Sequence, residues 1–405
     1  ILLCMGLSAL FAGCGGREKP LAEVVDEALA RAERQVLLMA EKYSGREGRL
    51  PRTWENGEDV SSDSRWWCSG FFPGTLWYVY ENSRDPKVLE YARMYTARVE
   101  REKYTTDNHD VGFMLYCSFG NGLRLTGDKS YEEVLLTGAR SLATRFKPEV
   151  GLIRSWDHNR DKWQYPVIID NMMNLEMLFL ASEFTGDSRY RDIAVTHADN
   201  TLKNHFRADN SCFHILCYDA GTGSVVTQKG GQGYSQTSAW SRGQSWGLYG
   251  FTMCYRFTHD RRYLDRAVKS AEYFINHPNL PEDKVPYWDY YAPGIPDEPR
   301  DASAAAVTAF DDFVSDAVGM GVKVLAIAGN HDSGVRIGFA SKILEKQGLY
   351  LAGTATAELP HVRFTQDNVS ADVWLLPFLR PAEGNMLLPE AHIQSYDDAV
   401  RALLA

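Results

Sequence analysis

The chain has 405 residues, enough for one large domain or two ordinary ones, and its 44% hydrophobic and 24% charged content is that of a globular rather than a disordered protein. A net charge of −10 argues against a nucleic-acid surface, which needs a basic patch. It leaves room for an anionic substrate, because a few local cations can dominate one cleft.

The first segment, Ile1 to Gly13, is a short apolar run that ends Leu10-Phe11-Ala12-Gly13-Cys14. It resembles a bacterial lipoprotein signal, with small residues ahead of a Cys that takes lipid after cleavage. The run is too short to span a bilayer, and it opens on Ile with no basic segment, so the expected start is missing. The resemblance implies lipidation at Cys14. Gly15-Gly16 follow and no inner-membrane retention residue is evident, so the expected location is the outer membrane, facing the periplasm. Of the remaining cysteines, Cys68, Cys117, Cys212, Cys217 and Cys254 show no zinc-like spacing, and their odd number favours buried free thiols over a disulfide framework.

A weak repeat organises residues 80–265. It reads Asn82-Ser83-Arg84-Asp85-Pro86, Thr126-Gly127-Asp128, Thr185-Gly186-Asp187 and Thr258-His259-Asp260. Each copy follows one apolar helical stretch and precedes another, as a helix stop followed by an Asp or Ser cap does. Periodicity predicts helices over 21–43, 70–81, 88–99, 111–125, 131–143, 171–184, 190–204, 243–257, 263–276 and 302–309. The linkers at the opposite ends are longer and rich in Trp, Asp, His and Gly. Short turns at one end and long, chemically loaded loops at the other describe a toroid of helical hairpins, with its site at the long-loop end. Residues 211–218 read as a strand in one such loop.

Three stretches stand out: Trp66-Trp67-Cys68-Ser69-Gly70, His109-Asp110-Val111-Gly112-Phe113, and Asp170-Asn171-Met172-Met173-Asn174-Leu175-Glu176. Phe213-His214, Gln232 and Trp240-Ser241-Arg242-Gly243-Gln244-Ser245-Trp246 follow. Asp110 and Asp170 each sit where a loop enters a helix. They are either N-caps or a pair of carboxylates converging at one toroid mouth, the usual equipment for sugar chemistry. Arg242 is either a structural cation or a clamp for a substrate carboxylate. Trp67, Trp156 and Trp246 are core residues or stacking platforms for a pyranose, and His214 alone decides nothing.

Together these motifs resemble the unsaturated glucuronyl hydrolases of glycoside hydrolase family 88, over about residues 22–309. The resemblance implies an all-α fold, an (α/α)6 barrel. It implies substrates made by polysaccharide lyases, which carry a 4,5-unsaturated uronic acid at the non-reducing end. The implied chemistry is hydration of that enol ether rather than displacement at the anomeric carbon. By the same resemblance Asp170 is the general acid/base and Asp110 the second essential carboxylate. His109, His214, Gln232 and Arg242 bind the uronate and its hydroxyls, and Trp67, Trp156 and Trp246 line the stacking surface. No metal or organic cofactor and no nucleic-acid partner is implied.

The helical rhythm stops near residue 310. Val322 to Ala328 is a buried-strand run, followed by Gly329-Asn330-His331-Asp332. From about Asp311 to Thr354 the chain resembles the nuclease subunit of a bacterial repair exonuclease, a calcineurin-like metallophosphoesterase. That resemblance puts Asn330 and His331 at a two-metal site, but the other metal motifs are absent. The expected organisation is therefore a signal over 1–14, a hydrolase domain over 15–309 whose barrel is incomplete at its C-terminal end, and an α/β fragment over 310–405. The competing reading is an inactive carbohydrate-binding lipoprotein, or a chimera with no activity.

Overall fold

The computed structural model describes residues 21–305, 324–327, 349–356, 359–366, 369–377 and 379–404. Cys14, Asn330 and His331 lie outside the described residues, as does the predicted helix beyond residue 305.

Helix α1 (Leu21–Ser44) leads into a hairpin of β1 (Leu50–Glu55) and β2 (Glu58–Ser62). Then come α2 (Phe71–Ser83), α3 (Pro86–Ala97), α4 (Val111–Leu115), a π turn over Tyr116–Gly120, α5 (Asn121–Thr126) and α6 (Lys129–Ala143). Two short strands, β3 (Phe146–Lys147) and β4 (Leu152–Ile153), precede β5 (Pro166–Ile168). A 3-10 segment (Ile169–Asn174) runs into α7 (Leu175–Thr185), followed by α8 (Ser188–Asn204). After β6 (Ile215–Tyr218) and β7 (Val225–Lys229) come α9 (Ser241–Thr258) and α10 (Arg261–Ile275). A further helix opens at 302–305.

The repeat builds the hairpin turns, and all four copies do so with one device. Arg84, Gly127, Gly186 and His259 each end a helix in the left-handed conformation. Asp85, Asp128, Asp187 and Asp260 then cap the next helix by accepting the backbone N–H two residues on, at 2.7–3.0 Å. Ser83, Thr126, Thr185 and Thr258 accept from the Asp backbone N–H at 3.2–3.3 Å. The hydroxyl, the left-handed residue and the carboxylate are therefore one turn unit.

Helices α2 and α7 are apolar on most faces and lie inside, whereas α6 and α10 carry one apolar stripe and lie outside. Inside, α2 packs against the π turn and α5, α4 against α7, and α7 against α9. One contiguous core runs through all of these hairpins, from Ala40 to Ala267. The five cysteines are free, with Cys212, Cys217 and Cys254 buried and Cys68 and Cys117 partly so.

Three features depart from the sequence expectation. The predicted helix over 111–125 is broken into α4 and α5 by the π turn, where Ser118 Oγ bonds back to Met114 O at 2.6 Å. The helix expected from Asn171 begins as the tighter 3-10 segment, pinned by Asn171 Nδ2 to Ile153 O at 2.7 Å. The β1–β2 hairpin was not expected, although Asn56 and Gly57 both have positive φ at its tip, as a two-residue Asn-Gly turn requires.

Past residue 323 the described strands are β8 (Val324–Ile327), parallel to β9 (Leu349–Ala352), and the antiparallel pair β10 (His361–Gln366) and β11 (Val369–Trp374). Helices α11 (Pro381–Leu387) and α12 (Tyr396–Leu404) follow, and a small cluster around Leu379, Ile393 and Ala399 joins them. The strand run expected after Val322 is present as β8. Among the described residues no helix is long and apolar enough to cross a membrane.

Candidate active site

The long loops meet over the starts of the inner helices. They enclose a cleft of about 850 Å³ lined by Trp67, His109, Asp110, Trp156, Asp170, Gln232 and Arg242. Seven of the expected site residues are thus brought together. Backbone ladders hold them there. His109 N donates to Ser155 O at 3.0 Å, Ser155 N to Pro166 O at 2.8 Å, and Ile168 N to Ser155 Oγ at 3.0 Å. Strand β6 pairs with β5, Ile168 opposite Ile215, which sets His214 beside Asp170. Gln244 ties α9 to the neighbouring loop, accepting from Cys212 N and donating to Asn210 O, both at 3.0 Å.

The position of Asp110 decides between its two readings. It occupies the N-cap of α4, yet its side chain makes no capping bond, unlike the four turn aspartates. Asp170 lies inside the first turn of the 3-10 segment, whose N-cap is Ile168. Neither carboxylate is spent on a helix end. The two segments are bolted to each other instead. Asn174 Oδ1 accepts from Phe113 N at 2.8 Å, and a β-carbon on Gly112 would lie 2.6 Å from that same oxygen. Only glycine allows α4 to approach so closely, which explains Gly112 of the His-Asp-Val-Gly-Phe stretch and Asn174 of the one that begins at Asp170.

The electrostatics split the pair. Burial, then the charge of Asp170, push the Asp110 carboxyl up to about 7. Its side chain keeps 22% of its surface, so it sits on the cleft floor rather than in a sealed core. Asp170 goes the other way. Burial raises it, but the His214 imidazole, with His109 behind, outweighs burial and holds it below the usual carboxylate value. His214 Nε2 lies 3.4 Å from Asp170 Oδ2. His109, with Nε2 3.3 Å from Asp110 Oδ1, is buried and its pKa falls to about 4, so it is neutral at pH 7. Below about pH 7 the pair therefore holds one proton, on Asp110, beside an ionised Asp170, and at neutrality that proton is about half lost.

Arg242 stands in the first turn of α9 with its guanidinium 5.0 Å from the Trp240 ring and Nε 4.0 Å from Asp301 Oδ2. Its side chain remains 31% exposed, which suits a clamp for a carboxylate. Trp156 stacks on His158 at 5.5 Å, and Trp67 forms an edge-on cluster with Phe71 and Phe113.

Two expected residues lie elsewhere. Trp246 is one turn deeper on α9 than Arg242, packs on Phe113 at 5.5 Å, and lines a second, mostly apolar cavity of about 750 Å³ with Tyr116, Glu176 and Tyr249. His214 is 5% exposed and stands behind Asp170 rather than on the cleft wall. Sequence reasoning missed Arg52 and Arg65, which also line the cleft, as do Trp66 and Trp240 from the motif stretches. Arg52 lies over the Trp66 ring at 3.7 Å and reaches the cleft from the unexpected hairpin. The Asn-Gly pair at its tip was the available signal. Among the described residues no group of acidic, His or Cys side chains could hold a metal.

A hairpin-built helical core thus carries two uncapped, oppositely shifted carboxylates, a cation and aromatic walls in one cleft, the equipment of a carbohydrate site. The family model for Glycosyl Hydrolase Family 88 matches residues 47–279. An unsaturated glucuronyl hydrolase of Formosa agariphila is 48% identical over 245 residues, 60% of this chain and 61% of that protein. An unsaturated chondroitin disaccharide hydrolase of Streptococcus agalactiae is 36% identical over 70% of this chain and 71% of its own length. A crystal structure of an unsaturated glucuronyl hydrolase specific for heparin superimposes with a TM-score of 0.66 at 42% identity, over 73% of this chain and 79% of that one. The chain belongs to glycosyl hydrolase family 88, and its hairpins are those of the (α/α)6 barrel. It spans 61% of the Formosa relative's length.

Proposed function

We propose that this chain releases 4,5-unsaturated uronic acid from the non-reducing end of lyase-generated oligosaccharides by hydrating the enol ether. The observation that carries the reading is the uncapped Asp110–Asp170 pair holding one proton in an aromatic cleft that also contains Arg242. Hydration needs one proton delivered to carbon 4 and one taken from the water that adds at carbon 5. A singly protonated pair supplies the first and accepts the second, and returns to its starting charge. In the free site Asp170 is ionised and Asp110 holds the proton below about pH 7. A bound uronate carboxylate adds negative charge beside both groups and raises Asp170, so the shared proton passes from Asp110 to Asp170. Asp170 delivers it to carbon 4 and, ionised again, takes one from the water that adds at carbon 5, which restores the pair's single proton. The hemiketal at carbon 5 then opens and releases the next sugar. Arg242 and Gln232 hold the uronate, with Trp67 and Trp156 against the ring.

The test is the loss of ultraviolet absorbance of the conjugated double bond with unsaturated chondroitin and heparin disaccharides. Loss that disappears in Asp170→Asn supports the reading. No loss across a wide panel of unsaturated uronides sinks it. The resemblance of the N-terminal run extends the proposal to an exported lipoprotein anchored at Cys14 in the outer membrane. Incorporation of labelled palmitate, abolished in Cys14→Ser, is the check. The segment from 310 onward is proposed as an α/β fragment without phosphoesterase chemistry, and the parallel pairing of β8 with β9 supports its α/β character.

A further inference from the structure

Strand β7 ends at Lys229, opposite Ile215, and the chain then turns back over His214. Gly231 has φ +62°, and a β-carbon there would stand 2.0 Å from His214 Nδ1. The next backbone N–H, that of Gln232, donates to His214 Nδ1 at 2.9 Å. An imidazole nitrogen that accepts an N–H carries no proton of its own, so the proton of neutral His214 is on Nε2. That nitrogen lies 3.4 Å from Asp170 Oδ2, longer than a well-formed hydrogen bond, and the two buried atoms face each other with no other hydrogen-bond partner to satisfy them. The Trp240 ring, 4.7 Å away and tilted by 59°, closes one face of the imidazole.

We infer that Gly231 and the Gln232 backbone N–H are a tautomer lock that makes His214 a positioning residue, presenting its Nε2–H to Asp170 rather than to substrate. Gly231 is required because no other residue brings the turn this close to the ring without strain. The lock fixes both the direction in which Asp170 points and the ionised state in which it waits. The other groups that bear on Asp170 are His109 and Asp110 from the start of α4 and Cys212 ahead of β6, while Arg145 beyond α6 acts on His109 and Asp110. Among the described residues His214 is the cationic or imidazole side chain that comes within 4.0 Å of the Oδ2 oxygen. The inference rests on the proposed role of Asp170 in hydration, so one of its tests reads no activity at all.

The full chain, labelled with 15N-histidine, is read by long-range proton–nitrogen correlation, His214 being assigned by the signals lost in His214→Asn. The expected spectrum has Nε2 protonated and Nδ1 bare, and Gly231→Ala moves it towards a mixture or the imidazolium. An Nδ1-protonated His214, or a tautomer indifferent to Gly231→Ala, overturns the lock. Turnover supplies the second reading. Asn at 214 keeps an acceptor for Gln232 N–H but reaches no donor to Asp170, whereas Gln keeps the donor. His214→Asn is expected to lose about 100-fold in kcat with KM within about threefold. The acid limb of its kcat profile moves to higher pH, because Asp170 loses the contact that keeps it ionised. His214→Gln recovers at least about tenfold of that loss. Two variants that raise KM alike, with kcat and acid limb unchanged, would make His214 a substrate ligand and overturn the inference. If wild type turns over no unsaturated uronide, the proposed function falls while the spectrum still decides the lock.

Discussion

Asp110 and Asp170 differ in what surrounds each carboxylate, and that difference has measurable consequences. Asp110 is buried near a like charge, whereas Asp170 is buried against two imidazoles. With the resting proton on Asp110, kcat/KM falls above about pH 7, approaching tenfold per pH unit, as that proton is lost. A flat rate from pH 6 to 9 would contradict the assignment. Asp110→Asn and Asp170→Asn each lower kcat by at least about 100-fold, read by the same absorbance assay. Asp110 also affects stability. Its pKa is raised in the fold, so its contribution is full below the unfolded value near 3.8 and is lost as pH rises through about 7. Asp110→Asn therefore leaves stability nearly unchanged at pH 4 and raises it by a few kcal/mol at pH 8. Urea unfolding at the two pH values checks this.

The hairpin elements were readable because their turns are local. Hydroxyl, left-handed residue and capping Asp lie within three positions, and their bonds need no partner from elsewhere in the chain. His259 fills the left-handed place that Gly127 and Gly186 fill in two other turns. His259→Gly should stabilise the protein by about 0.5–1 kcal/mol, seen as a higher urea midpoint with unchanged slope. The π turn and the 3-10 segment were not readable, since both are imposed by packing between distant segments. Asn174 shows why. In sequence it is one polar residue on a helix, and only the fold reveals that it accepts from Phe113, 61 positions away. Asn174→Ala leaves that buried N–H unpaired, at about 1–3 kcal/mol, and lets α4 drift from the 3-10 segment. Activity should fall with stability, whereas Asn174→Asp, which keeps an acceptor oxygen, retains more of both. Equal loss in the two variants would argue against the bolt. The same distinction governs the site. The motifs located Asp110, Asp170 and Arg242, but depth along α9 moved Trp246 into the second cavity, and β5–β6 pairing moved His214 behind Asp170.

At the scale of the whole molecule, the loops that carry the chemistry are anchored through buried neutral histidines, and this sets the acid limit of the fold. His197 Nδ1 accepts from Ile153 N at 3.0 Å, joining α8 to β4. His205 Nε2 lies 3.4 Å from Val167 O, joining the end of α8 to β5. His109 ties the Asp110 loop to Ser155. Burial lowers all three: His109 and His205 to about 4, and His197 well below its ordinary value. A histidine whose folded pKa is depressed stabilises the fold above its unfolded value near 6.5, and that stability is lost as pH falls towards the folded pKa. Between about pH 6 and 4.5 each such residue removes up to about 1.4 kcal/mol per pH unit, so three together outweigh Asp110, whose trend is opposite. Urea midpoints should therefore drop steeply below about pH 6. His205→Gln and His197→Asn each lower stability at pH 7 but flatten the acid slope by one proton's worth. An unchanged slope would mean that other groups set the acid limit. Because these histidines anchor β4 and β5, which carry the walls around Asp170, activity in acid should fail with the fold as well as with the titration of Asp170 itself.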